Sequence, residues 1–319
     1  MQEDKEMKYA GKKLLTMFLT LFAVTLFVFL AFHVISGDPA SSMLGTEATP
    51  ARLEALREEM GLNDPVLVQY ARWAGRFLTG DMGTSYSYRM PVSDMVTDKI
   101  PVTLTLTILA FFMMVLISIP LGIYTAKHAG GVVDRIIYIF NQIIMAFPPF
   151  FSGILITLLF GRIFKLFTPG GYISYEKNFW GFVGYLFFPA LAIALPKAAM
   201  AVKLLRSSVI GEARLDYVRT AYSRGNRTND VLYKHVLKNA LIPVVTFLGM
   251  ALTDMIAGSI IIEQVFSIPG LGRILLTSIS NRDYPVVMAI IVCISLLVLV
   301  VNMIVDMIYG LIDPRISVE

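Results

Sequence analysis

The residues able to carry chemistry are few and scattered. His33, His128 and His235 lie far apart in the chain, and Cys293 sits alone inside an apolar run. No HExxH, CxxC, GxSxG or GxxxxGK[ST] pattern occurs, and Gly11-Lys12-Lys13 lacks the rest of a phosphate loop. Those spacings matter because they put two metal ligands on one helix face, activate a serine, or wrap phosphates in backbone N–H groups. Without them the chain has no visible means of hydrolysing ATP, a peptide bond or a lipid, and an intramembrane hydrolase lacks any catalytic set. Energy for driven transport must then come from an ion gradient or from another subunit. A single cysteine closes no internal disulfide, so no redox pair is present.

Two groups of polar residues remain. The first lies inside apolar stretches: Asp254, Gln142 and Asn302. A central Asp costs about 2.5–3.5 kcal/mol to insert in a membrane helix. Asp254 therefore either lines a water-filled path or makes a hydrogen bond between helices. Gln142 and Asn302 are path candidates too, although amides also join helices. Glu263 and Asp306 stand near span ends, where interfacial water solvates them. The second group is a basic interruption at residues 206–238, with seven Lys/Arg against three acids. Tyr217 to Arg224 has a helical pattern, with Val218, Ala221 and Tyr222 on one side and Arg219 and Arg224 exposed. Gly225 supplies a left-handed cap, and residues 230–237 resume a helix.

The elements that hold these groups follow from composition. The chain is 319 residues long, 56% hydrophobic and 16% charged, with formal net charge +4 and mean hydropathy +0.69. A soluble domain carries about 25% charged residues. A bilayer core of about 30 Å needs roughly 20 apolar residues of helix. Six stretches meet that length: residues 14–35, 101–127, 134–162, 179–205, 239–263 and 286–311. The predicted fold is an all-α polytopic membrane protein. Pro148-Pro149 in the third span, and Pro189 and Pro196 in the fourth, predict kinks. Lys197 and Lys203 have stems long enough to snorkel to an interface. The first apolar stretch is too long for a signal peptide and is followed by no A-x-A site, so it is read as retained.

Lys8, Lys12 and Lys13 precede the first span, which puts residues 1–13 in the cytosol. Six spans then place residues 206–238 and 312–319 there as well, and residues 36–100 and 264–285 outside. Residues 36–100 form a small cap with two helical patterns, 50–60 ended by Gly61 and 65–78 closed by Gly80, then a turn-rich piece. The clustered positive charge reads as membrane orientation and contact with lipid, with no nucleic-acid partner. A helix–glycine–helix held out from the membrane suits a groove in a cytosolic partner; the bland alternative is a helix lying on lipid.

These features together resemble the permease subunits of bacterial ABC importers, in the dipeptide/oligopeptide/nickel group and most closely its oligopeptide B-type branch. The generic motif E-A-A-x3-G-x9-I-x-L-P begins at Arg219. Ala221, Gly225 and Leu237 match it, while Arg219, Thr220, His235 and Lys238 depart. Gly80-Asp81-Met82-Gly83-Thr84-Ser85 resembles the group's outer G-D-x-G-x-S element. Glu263-Gln264-Val265-Phe266-Ser267-Ile268-Pro269-Gly270-Leu271-Gly272, Arg282-Asp283-Tyr284-Pro285 and Asp313-Pro314-Arg315-Ile316 extend the likeness over nearly the whole chain.

The resemblance implies the type I importer permease fold in the bacterial inner membrane. It implies a second permease subunit forming a heterodimer, two cytosolic ATPases that hold ATP and Mg2+, and an extracytoplasmic substrate-binding protein. This chain itself would bind no cofactor or metal and catalyse nothing. Tyr217, Arg219, Thr220, Ala221, Arg224, Gly225 and Leu237 would form the ATPase-coupling helix. Peptides are the substrate class implied, with nickel, a metal chelate or another small solute as alternatives. An ion-driven carrier using Asp254 is the competing class, and the lack of a visible inverted repeat speaks against it.

Overall fold

The computed structural model describes residues 2–35, 39–44 and 49–312. The C-terminal Asp313-Pro314-Arg315-Ile316 element and the tail 313–319 lie outside the described residues, as do parts of the 36–100 segment. Among the described residues the chain is helical, with one isolated antiparallel bridge between Thr84 and Pro91. In order these are α1 (Gln2–Ile35), α2 (Pro39–Leu44), α3 (Pro50–Met60), α4 (Val66–Leu78), α5 (Val92–Val96), α6 (Ile100–Lys127), α7 (Val132–Ala146) and α8 (Pro149–Ile156). They continue with α9 (Phe179–Glu212), α10 (Asp216–Ser223), α11 (Thr228–Asp230), α12 (Leu237–Ala240), α13 (Ile242–Val265), α14 (Leu271–Ser280) and α15 (Tyr284–Ile312).

Five helical stretches are long and apolar enough to cross a membrane: Gly11–Val34, Val92–Lys127, Phe179–Glu212, Ile242–Val265 and Tyr284–Met307. The third predicted span is different in kind. It is two helices, α7 and α8, meeting at 107°. It makes a sixth span only if the broken pair is counted as one. The cause is local. Phe147 and Pro148 each precede a proline, which pushes both out of the helical region; their ψ angles are 128° and 148°. Pro149 then starts α8 at a position that needs no N–H. By contrast, Pro120, Pro189 and Pro196 lie within continuous helices, where a lost backbone donor is tolerated.

The chain divides into two compact units, residues 1–102 with 269–300, and residues 103–268 with 301–319. In the first, α1 carries α4 on its side. Thr25 Oγ1 and Tyr70 Oη are 2.9 Å apart, and Phe29 rings against Tyr70 and Trp73 at 5.5 and 5.7 Å. Thr49 caps α3 by accepting from the Arg52 N–H, and Gly61 ends it in the left-handed region at φ 66°. The region predicted as a plain loop at 264–285 contains the ten-residue helix α14, with Leu271 and Leu275 buried.

The second unit is built around α9. Between residues 190 and 201 its buried side is mostly small: Ala190, Ala192, Ala194, Ala198, Ala199 and Ala201. Without a hydrophobic drive between helices in lipid, small residues let backbones approach and gain dispersion contact. Gly122 of α6 shows the limit, since a methyl there would sit 2.8 Å from Leu205 Cδ2.

Candidate functional site

The basic interruption is a folded module, and it begins later than its composition suggests. α9 runs on past residue 205 to Glu212. The chain then turns into α10, turns again at Gly225 with φ 80°, and returns through α11, a π-helical stretch (Val231–Val236) and α12 into α13. Gly225 is needed because an L side chain at that φ costs about 1–2 kcal/mol. Val218, Ala221, Val231, Val236 and Ala240 form one buried cluster with Leu205 and Val209 of α9 and Val244 of α13. The module is thus cored on the ends of two apolar helices.

Polar bonds brace the same geometry. Tyr217 Oη donates to Glu212 at 3.0 Å and accepts from Asn239 Nδ2 at 3.1 Å, joining the end of α9 to α12 through α10. Burial pushes the Tyr217 hydroxyl above its ordinary pKa, with the Glu212 contact adding to the shift and the Asn239 bond opposing it. Asn226 Nδ2 donates to the Ala221 carbonyl at 3.0 Å, closing the turn. At the root, Arg206 grips Asp134 through Nε at 2.6 Å and a second guanidinium nitrogen at 2.7 Å. Asp134 also accepts from the Gly130 N–H at 2.8 Å, bracing the turn into α7, and its carboxylate lies in the first turn of that helix, where the macrodipole favours negative charge. Charge composition alone flagged Arg206 but not this partner.

The seven residues read as a coupling set divide into two groups. Arg219, Thr220, Arg224 and Gly225 are exposed, and Tyr217 is at the edge. Arg219 is held only by Asp216 at 3.4 Å, an open pair worth little. Ala221 and Leu237 face inward. Ala221 is 6% exposed, so its small side chain serves the close seating of α10 and is not available to touch a partner. Tyr222, placed on the apolar side by its pattern, is instead exposed, together with Leu215 and Tyr233. The outward face is therefore basic and aromatic.

The three residues read as path candidates all lie in the second unit, and each is bonded. Asp254 receives Lys197 Nζ at 2.6 Å, Gln142 receives Lys203 Nζ at 3.3 Å, and Asn302 receives Thr253 Oγ1 at 2.5 Å. Lys197 and Lys203 thus bond across helices instead of snorkelling. Glu263 also departs from expectation: it is fully buried and accepts from Thr103 Oγ1 at 2.6 Å, away from interfacial solvent.

A helical chain with five or six apolar spans and a compact basic module folded on two of them belongs to the class of polytopic membrane proteins. The comparisons specify which. The family described as binding-protein-dependent transport system inner membrane component matches residues 118–318, and the N-terminal part of the same kind of component matches residues 7–107. The chain belongs to this family of importer permeases. It is 36% identical over 300 residues to the oligopeptide transport system permease protein AppB of Bacillus subtilis (strain 168), covering 93% of this chain and 95% of that protein. It is 33% identical over 308 residues to the probable peptide ABC transporter permease protein y4tP of Sinorhizobium fredii (strain NBRC 101917 / NGR234), covering 97% and 98%. It is 34% identical over 310 residues to the glutathione transport system permease protein GsiC of Salmonella paratyphi A (strain ATCC 9150 / SARB42), covering 97% and 99%.

Proposed function

We propose that the chain is the membrane-spanning permease subunit of a binding-protein-dependent ABC importer of short peptides. It sits in the cytoplasmic membrane of a bacterium with both termini and the 206–238 module in the cytosol. It pairs with a second, related permease, rests on two ATPase subunits that bind ATP and Mg2+, and receives substrate from an extracytoplasmic binding protein. The peptide assignment is supported by relatives whose names specify oligopeptide, peptide and glutathione transport.

The observation that carries the reading is the module's construction. α10 offers Arg219, Arg224 and Tyr222 outward while Val218 and Ala221 lock it to α9 and α13. A push on α10 is thereby delivered to two spans at once. ATP binding must stabilise one arrangement of the helices over another by a real difference in free energy, and a stiff short lever loses little of it.

The test is ATP-driven uptake of dialanine into proteoliposomes holding this chain, its partner permease, the ATPases and the binding protein. Uptake that needs all four components supports the reading. Uptake driven by an ion gradient without ATPases sinks it.

A further inference from the structure

Lys197 and Asp254 meet on an open flank of two apolar helices. Their side chains are 25% and 62% exposed. Asp254 stands twelve residues from the start of α13 and eleven from its end, so about 16–18 Å of helix separates it from either terminus. No interface lies within reach of a side chain that short. A mid-span ion pair this open is tolerable where its face meets water, and ionisable groups inside spans concentrate along substrate and ion paths.

The pair is also only half used. Lys197 spends one of its three N–H donors on Oδ2 of Asp254, and Oδ1 has no hydrogen bond among the described residues. One carboxylate and one ammonium group thus face each other on one flank, both with hydrogen-bonding capacity to spare. That array complements a molecule bearing a free ammonium and a free carboxylate.

Resting on the peptide reading above, we infer that Asp254 and Lys197 form a transit station for the charged ends of a short peptide. Asp254 takes the amino terminus, and Lys197 takes the carboxylate. Substrate charges replace the contact that Lys197 and Asp254 make with each other, so entry and exit are both close to neutral. A conducting site needs that balance, being favourable enough to enter and weak enough to leave.

The test uses the whole transporter in nanodiscs without the binding protein. Saturation-transfer NMR reads contact with dialanine and with N-acetyl-dialanine amide, which keeps the backbone and lacks both terminal charges. Lys197→Met/Asp254→Leu removes both charges together, because replacing both members of a pair with apolar residues is often neutral for folding. Lys197→Gln/Asp254→Asn serves if that variant fails to assemble. The expected result is a dialanine signal in the wild type, roughly ten-fold weaker in the variant, as loss of a charge-assisted bond implies, with a weak amide signal in both. A wild-type signal in the variant, an amide signal matching dialanine, no dialanine signal in the wild type, or failure of both variants to assemble overturns the proposal. Wild-type uptake that survives any of these results leaves the peptide reading standing; absence of uptake sinks that reading separately.

Discussion

Asp283 and Ser85, 198 residues apart in sequence, form a buried clasp. Asp283 is fully buried and accepts from Ser85 Oγ, from the Tyr86 N–H at 3.0 Å and from the Ser87 N–H at 3.2 Å. Ser85 Oγ in turn accepts from the Tyr88 N–H at 3.0 Å. Two sequence elements noted separately, G-D-M-G-T-S and R-D-Y-P, are thus halves of one structure. Gly83, at φ 87°, lets the chain turn toward Pro285. Asp283→Ala leaves three donors without their acceptor and is expected to cost about 2–4 kcal/mol. The check is the unfolding midpoint of the purified transporter. Ser85→Ala should cost less, about 1 kcal/mol, because two backbone bonds to the carboxylate persist.

The Arg206–Asp134 clamp gives a second expectation. Arg206→Lys keeps the charge and loses the two-pronged grip. Asp134→Ala strands a guanidinium whose side chain is only 27% exposed, at an expected cost of about 2–3 kcal/mol. Arg206→Met/Asp134→Leu should recover most of that loss. Unfolding midpoints of the three variants check the order; equal losses in all three contradict it.

Tyr217 tests the brace on the 206–238 module. Tyr217→Phe keeps the ring but breaks the bonds to Glu212 and Asn239. The expected outcome is a local loss of about 1 kcal/mol, read as faster amide exchange in α10 and unchanged exchange in the centre of α9.

Much of this architecture was legible before any coordinates. Long uncharged runs marked the spans, and Gly225 marked the reversal, because each depends on local chain properties. The break at Pro148-Pro149 was legible as a kink but not as a turn of 107°; its size depends on two successive residues each losing the helical region. α14 was missed because its apolar stretch is too short to stand out beside the spans. Exposure of Tyr222 and burial of Glu263 were missed for a different reason. Both depend on what neighbouring helices cover, and a residue's type does not reveal that. The partners of Asp254 and Asp134 lie 57 and 72 residues away, a separation that spacing rules do not reach.

The central claim is that α10 transmits the ATPase cycle to the spans, and the most direct measurement is the ratio of peptide imported to ATP hydrolysed. Arg219→Glu/Arg224→Glu reverses charge on the exposed face without touching the buried cluster. Gly225→Pro attacks the reversal itself, since proline cannot adopt φ 80°. In proteoliposomes of the assembled transporter, both variants are expected to insert normally and to cut dialanine import roughly ten-fold or more per ATP hydrolysed, the effect of losing about 1.4 kcal/mol of coupling. Import per ATP equal to wild type, with normal assembly, contradicts the account.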